Sequence, residues 1–398
     1  MKKKLPAIIG GKPQRKKYLT FGSPFIGKEE INEVVSSLKS GWISTGPKVA
    51  QFEKDLAKFI EIKHIKALSS CTAAIHLALI AAGVGKDDEV ITSPLTFAAT
   101  ANTILHVGAK PIFVDCKIDG NIDEDKIEEK ITKKTKAILP IHLYGRPCNM
   151  DKIGRIAKKY HLLVIEDAAH ALGASIGKKN IGTISEFTCF SFYVTKNLAT
   201  GEGGALTTKK KSWRDLIEKY SLHGMNKDAW KRYSSSGYSH YQIEVPGFKY
   251  NLMDIQAAMG IHQLRKFNAM QKRRNEIWSM YDKAFKNLPV IIPPKEGKGI
   301  IHAHHLYTVL IDLKKIKVDR DTILQALHKE GIGVGVHFIS LHLHPLYKRI
   351  FKFKKNDFPN ALLISERTIS LPISAKLTNK DVYDVIQAVK KIINYYSK

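Results

Sequence analysis

The chain is 398 residues long, and its 44% hydrophobic and 25% charged content lies close to soluble globular averages, which sets aside disordered, collagen-like and membrane-embedded chains. The 64 Lys and Arg outnumber the 37 Asp and Glu, giving a formal net charge of +27, yet the basic residues are scattered over separate segments such as 128–136, 209–211 and 352–355. That pattern describes a lysine-rich solvated surface that favours anionic substrates, not a dedicated nucleic-acid site.

In chain order, the amino terminus opens on three lysines after Met1, but its apolar stretch at 5–9 falls short of the ~7 to 15 residues of a signal-peptide core, so a cytoplasmic protein is expected. No apolar run approaches the ~18 residues of a spanning helix. Ser69-Ser70-Cys71-Thr72 precedes the apolar run 73–82, placing hydroxyls and free amides at a helix amino terminus, which suits a phosphate or serves as an ordinary cap. Short β-branched runs at 89–93, 111–115, 137–142 and 162–166 alternate with helical spacing at 98–106, 123–131 and 150–160. This is the signature of a largely parallel sheet covered by helices on both faces. Two more strand-like runs, 187–192 and 204–208, flank Lys196. From His223 to about Pro246 neither period is present, and Trp230, Tyr233, Tyr238 and Tyr241 suggest a loop that covers a substrate or meets a partner. Residues 253–288 read as a long helical region followed by an αβ-rich tail. The expected organisation is a large domain over 1–266, with an amino-terminal arm, and a small domain over 267–398. Cys71, Cys116, Cys148 and Cys189 are far apart with no CxxC pair, and read as reduced thiols.

The run 162–166 continues into Asp167, which puts a carboxylate at the carboxyl end of a parallel strand, where open α/β sheets form their ligand crevice. Lys196 follows twenty-nine positions later in Ser191-Phe192-Tyr193-Val194-Thr195-Lys196-Asn197, ahead of Gly201-Glu202-Gly203-Gly204. A lysine amine and an acidic partner for the pyridine nitrogen are the two groups a pyridoxal enzyme requires. Taken singly, each has a plain alternative as a surface lysine or a strand-end cap. His302, His304 and His305, with His342 and His344, invite a metal reading because alternate strand residues share a face. No carboxylate or cysteine accompanies them at ligand spacing, so no metal is expected.

Six ordered segments carry a family likeness: Ser40-Gly41-Trp42-Ile43-Ser44-Thr45-Gly46-Pro47, 69–79, Pro94-Leu95-Thr96-Phe97-Ala98-Ala99-Thr100, Glu166-Asp167-Ala168-Ala169-His170-Ala171, the Lys196 segment, and Pro246-Gly247-Phe248-Lys249-Tyr250-Asn251. Over nearly its whole length the chain resembles the DegT/DnrJ/StrS sugar aminotransferases. The resemblance implies an α/β fold of the aspartate-aminotransferase type (fold type I), with a mostly parallel seven-stranded sheet in the large domain, and pyridoxal 5'-phosphate as cofactor. It implies Lys196 as the catalytic Schiff-base lysine, Asp167 as the pyridinium partner, His170 beside the ring hydroxyl and Phe97 on the ring face. Cys71, Thr72 and Ser191 would hold the phosphate, joined by Asn251 from a second subunit. Two positions depart from many relatives: Cys71 stands where they have glycine, which restricts backbone approach to the phosphate, and the titratable His170 replaces a glutamine. Some members carry histidine at the lysine position and deoxygenate instead; Lys196 is kept, so transamination is expected, with the lysine also moving the proton between cofactor and substrate carbons.

Within the family, 223–233 and 331–338 look most like enzymes that aminate C4 of a UDP-linked 4-keto sugar, as in forming UDP-4-amino-4-deoxy-L-arabinose. The resemblance further implies L-glutamate as amino donor and a homodimer with active sites at the subunit interface, and neither a membrane nor a specific nucleic acid is expected as partner. An anionic pyrophosphate needs basic groups, for which Lys231 and Arg232 are the candidates, with His337 bonding the sugar. A C3 keto sugar, a dTDP- or GDP-linked sugar, and a non-catalytic cofactor-binding regulator remain as alternatives.

Overall fold

In the computed structural model, residues 5–225 and 240–398 are described. Two helices, α1 (Lys28–Ser40) and α2 (Pro47–Ile60), lead into strand β1 (His64–Leu68) and helix α3 (Cys71–Ala81). Then come β2 (Glu89–Thr92), α4 (Ala98–His106), β3 (Lys110–Phe113), β4 (Thr135–Ile138), α5 (Met150–Lys159) and β5 (Leu163–Asp167). A small hairpin of β6 (Ser175–Ile176) and β7 (Lys179–Asn180) precedes β8 (Phe187–Ser191), β9 (Gly204–Thr208) and α6 (Lys211–Ser221). The main sheet has seven strands in the order β1-β9-β8-β5-β4-β2-β3. β9 alone runs against its neighbours β1 and β8, and the remaining pairs are parallel. The fold is therefore the expected mostly parallel α/β sheet. α3 is apolar around most of its circumference, from Ala73 to Leu79, because it lies beneath the sheet's other helices with no face left for solvent.

Two local expectations change, and one helix packs in a way no local pattern announces. Residues 123–131 form two 3-10 turns, not a helix: the Asp123 carboxylate bonds the Asp125 amide, and Ile127 is the one apolar residue there buried to 0% exposure, too little to hold a longer helix. The 253–288 region divides into α7 (Asp254–Arg265) and α8 (Phe267–Phe285), broken at Lys266. α1 turns its polar side inward: Glu30 is 1% exposed and pairs with Lys266 at 2.5 Å, while Ile31, Val35 and Leu38 face outward. Of the long aromatic stretch, Met225 bridges Ile243, whereas Trp230, Tyr233 and Tyr238 lie outside the described residues.

Beyond α8, β10 (Val290–Ile291), β11 (Ile300–Ile301), β12 (Tyr307–Ile311), α9 (Arg320–Lys329), α10 (Pro345–Phe351), α11 (Pro359–Arg367), β13 (Thr368–Leu371) and α12 (Asn379–Tyr396) complete the chain. β10, β12 and β13 form a second sheet, whose core joins Tyr281, Tyr307, Ile323, Leu371, Val385 and Ile392. β11 pairs with β6 in a third, small sheet with β7. The amino-terminal arm is pinned to this carboxyl-terminal region: fully buried Glu330 accepts from the Ala7 and Gln14 amides and the Lys391 ammonium, and Arg15 reaches Asp381 and Asp384. Glu330→Ala strands a buried cation and two amides, so it is expected to lower unfolding stability by about 3–5 kcal/mol, read as a reduced urea midpoint. Among the described residues no helix is long and apolar enough to cross a membrane.

Candidate active site

A cavity of about 470 Å³ opens at the carboxyl ends of β5 and β8. It gathers Cys71, Thr72, Phe97, Asp167, His170, Ser191, Lys196 and His337 from five separate segments of the chain. Asn251 stands apart in a neighbouring hollow, where its Nδ2 donates to Thr45 Oγ1 at 2.7 Å. Lys231 and Arg232 lie outside the described residues.

The amino terminus of α3 forms one wall. The Ser70 hydroxyl caps the helix by accepting from the Ala73 amide at 3.0 Å, which leaves the earlier amides at Cys71 and Thr72 without intrahelical partners. The strand after Lys196 passes so close that a side chain at Gly204 would stand 2.4 Å from Ser70 and 2.5 Å from Cys71 backbone atoms. Only glycine permits that approach. The Cys71 thiol points below the wall, donating to the Cys189 carbonyl at 3.5 Å, and burial raises its pKa well above the ordinary thiol value. It behaves there as a small packed side chain.

On the floor, Asp167 is held by neutral donors: Thr100 Oγ1 reaches Oδ2 at 2.8 Å and the Ala169 amide reaches Oδ1 at 3.1 Å. Burial raises its proton affinity, against the pull of these bonds and of Lys196. A cationic ring nitrogen laid against this carboxylate would offset that desolvation, which is the complement a protonated pyridine supplies. Below, Glu166 is fully buried; burial pushes its pKa up, but the 2.6 Å bond with His142 and bonds from Ser185 and Thr188 bring it under the ordinary value.

Lys196 sits in the turn after β8, its amide bonded to the Tyr193 carbonyl at 2.8 Å. Burial lowers its ammonium to about 8, with Cys71 and Asp167 opposing. An amine so placed has a far larger neutral, nucleophilic fraction near physiological pH than an ordinary lysine, although the ammonium still predominates below about 8.

Three imidazoles complete the lining, and one turn organises them. At Leu143–Gly145 the backbone enters the left-handed region, φ 61° at Tyr144 and 102° at Gly145. A side chain at Gly145 would meet the His170 carbonyl at 2.9 Å. The Tyr144 amide donates to His170 Nδ1 at 3.2 Å, its carbonyl accepts the His305 amide at 3.0 Å, and its hydroxyl donates to the His337 carbonyl at 2.6 Å. Because His170 Nδ1 accepts, its proton resides on Nε2. Burial, then the Lys196 charge, lowers His170 well below the usual imidazole range and His337 to about 4. His337 bonds Ser370 through Nδ1 at 2.8 Å and stacks on Phe21. Phe97 stays 63% exposed at the rim, a flat apolar surface facing the opening.

The sequence points to Thr100 only within a family segment and to His305 only within a histidine cluster, and to neither as a lining residue of this cavity. Thr100 follows Thr96 by one helical turn and bonds it at 2.8 Å, a spacing that hints at a shared polar face; His305 is hidden within the histidine cluster. The rest of that cluster is dispersed. His302 and His304 pack on Trp278, His342 bonds Ser340 and the Lys355 carbonyl, and His344 meets the Ile339 carbonyl. Among the described residues no group of three or more His, Cys, Asp or Glu side chains could hold a metal ion.

The model of the DegT/DnrJ/EryC1/StrS aminotransferase family matches residues 24–390. The spore coat polysaccharide biosynthesis protein SpsC of Bacillus subtilis is 50% identical over 382 residues, covering 96% of this chain and 98% of SpsC. Among solved structures, Spr1654 of Streptococcus pneumoniae in its PMP form superposes with a TM-score of 0.89 at 33% identity, covering 95% of this chain and 98% of that one. Spr1654 is also solved in a PLP form. PseC of Helicobacter pylori, an aminotransferase involved in the biosynthesis of pseudoaminic acid, superposes with a TM-score of 0.89 at 30% identity, covering 96% of this chain and all of PseC. The chain belongs to the DegT/DnrJ/EryC1/StrS aminotransferase family, as a sugar aminotransferase whose cofactor is pyridoxal phosphate.

Proposed function

We propose that this enzyme moves an amino group from L-glutamate to the C4 keto carbon of a UDP-linked sugar, with Lys196 as the cofactor lysine and proton carrier. The observation that carries the reading is a nucleophilic lysine and a buried carboxylate on one cavity floor beside neutral imidazoles. Pyridoxal phosphate supplies an electron sink that labilises the bond beside the transferred amine. Asp167 would meet the ring nitrogen and His170 Nε2–H the ring hydroxyl, with Phe97 across the ring face. The Cys71 and Thr72 amides, the Thr72 hydroxyl and Ser191 would take the phosphate. The Lys196 amine would move the proton between substrate and cofactor carbons in each half-reaction, and its lowered pKa suits both taking and giving it. His337 Nε2, with Nδ1 already bonded to Ser370, would hold a sugar hydroxyl.

The reading divides the chain near Phe267: Lys196 and Asp167 stand before the division, His305 and His337 after it. It also makes the active unit a homodimer. The outward stripe of Ile31, Val35 and Leu38 on α1 is 55, 41 and 53% exposed at helical spacing, and with Trp42, 52% exposed just past the helix end, offers an apolar face to a second copy. Asn251, outside its own chain's cavity, is then available to the partner's phosphate. Val35→Glu with Leu38→Glu is expected to yield monomers by sedimentation and to weaken cofactor affinity about tenfold or more by losing one charge-assisted bond. A dimer that survives the double substitution defeats this part of the reading.

The direct test records the cofactor's visible absorbance. L-Glutamate should bleach it, and a UDP-4-keto sugar should restore it faster than 3-keto, dTDP- or GDP-linked sugars; restoration by those alone overturns the substrate assignment. In the apoenzyme, cofactor capture by Lys196 should accelerate as pH rises through about 8, where the amine is half neutral, and level off roughly one unit higher. A rate flat from pH 6 to 9, on the order of the window this pKa spans, contradicts it.

A further inference from the structure

His305 belongs to neither a metal group nor the roles given above. Its ring is 2% exposed, lines the cavity with Lys196, and lies 4.5 Å from the His170 ring. Nδ1 stands 3.0 Å from Oδ1 of Asn197, the residue that follows Lys196. Asn197 Nδ2 donates to the Ala303 carbonyl at 2.6 Å and to Gln271 Oε1 at 3.2 Å. With the amide nitrogen committed as donor, Oδ1 must accept, so His305 carries its proton on Nδ1. The other end of the brace is equally tied: the His305 amide donates to the Tyr144 carbonyl, and buried Arg274 donates to the His305 carbonyl at 3.3 Å. Lys196 itself stands on an irregular turn with four rotatable side-chain bonds, where a backbone anchor at Tyr193 fixes one side only.

We propose that His305 is a positioning residue for Lys196: through Asn197 it fixes the turn from which the lysine reaches its cofactor. The inference rests on the reading of Lys196 as the cofactor lysine. The charged and titratable groups around His305 are His170, Lys196, Arg274 and His337; with burial they keep its ring neutral, as a donor to Asn197 requires. Misplacing a reacting group by about 1 Å costs roughly 10²-fold, so a loosened turn shows in rate before it shows in binding.

The test separates covalent capture from mere binding. Apoenzyme is mixed with pyridoxal phosphate and the growth of visible absorbance is timed; affinity for pyridoxamine phosphate, which has no aldehyde for a lysine, is measured beside it. His305→Phe keeps the ring packing and removes the Nδ1 donor; His305→Asn keeps a short donor toward Asn197. His305→Phe and Asn197→Ala are each expected to slow capture about tenfold or more, with pyridoxamine phosphate affinity within about twofold. His305→Asn should recover most of the rate, and the His305→Phe/Asn197→Ala double variant should be no slower than the slower single, because both cut one link. Wild-type capture by either single variant, or multiplicative slowing in the double, overturns the proposal; should His305→Phe fail to fold, Asn197→Ala and His305→Asn decide it. Lys196→Ala run in parallel keeps the cases apart: capture at the wild-type rate there refutes the role of Lys196 itself.

Discussion

Lys196→Ala is expected to remove the visible absorbance of the lysine-held cofactor and to lower kcat by about 10⁴-fold or more. Two losses combine. The variant has no amine to hold the aldehyde, and it has no group to carry the proton between carbons, which alone contributes ~10²–10⁴-fold. The fold should survive, because the side chain leaves a cavity that already opens to solvent and the turn is anchored by backbone bonds at Tyr193 and by Asn197. Burial now works against the wild-type ammonium, so removing it relieves a desolvation cost. The variant should therefore unfold at no lower a urea concentration than the parent. Turnover within tenfold of wild type, on the order of a single lost hydrogen bond, would remove Lys196 from the chemistry.

Asp167→Asn comes second in size. The substitution preserves shape, and the Thr100 hydroxyl can still donate to the amide oxygen, but the charge that would face the ring nitrogen is gone. Breaking a buried ion pair costs about 3–5 kcal/mol, which is a factor of about 10² to 5 × 10³ in rate when the pair is needed in the transition state. The expected result is a fall of that size in kcat, with cofactor affinity also reduced. The pH sign follows from the same residue. In the apoenzyme burial raises the Asp167 pKa, and a cationic ring would lower it; cofactor binding then requires the ionised form. Affinity should weaken as pH falls through the apoenzyme's raised value, and Asp167→Asn should abolish that dependence in an equilibrium titration. An unchanged kcat in Asp167→Asn would end the assignment.

Much of this was written in local pattern. The alternation of β-branched runs with helical spacing announced the parallel sheet, because a strand buried on both faces and a helix laid over it each impose their own period. Ser70 ahead of an apolar run marked the capped start of α3, and Asp167 followed its strand to the end where such sheets form a crevice. Residues 123–131 misled because Ile127 and Ile131 stand one helical turn apart, yet only Ile127 is fully buried and a single buried side chain cannot hold a longer helix. The His64–Leu68 strand escaped notice because its five residues, with a single β-branched side chain, carry too little pattern.

What the sequence determined by itself, then, was the sheet, the capped helix and the order in which Cys71, Asp167 and Lys196 arrive, since each depends on neighbours within a few residues. The tertiary structure alone decided that His305 stands beside Lys196 while His302 and His304 pack on Trp278, and that the Tyr144 turn sets the tautomer of His170. It alone turned the apolar side of α1 outward, by pairing Glu30 with Lys266 and Gln263 inside. Those outcomes depend on hydrogen bonds and burial between segments far apart along the chain, and no local period encodes which distant partner will satisfy a buried polar group.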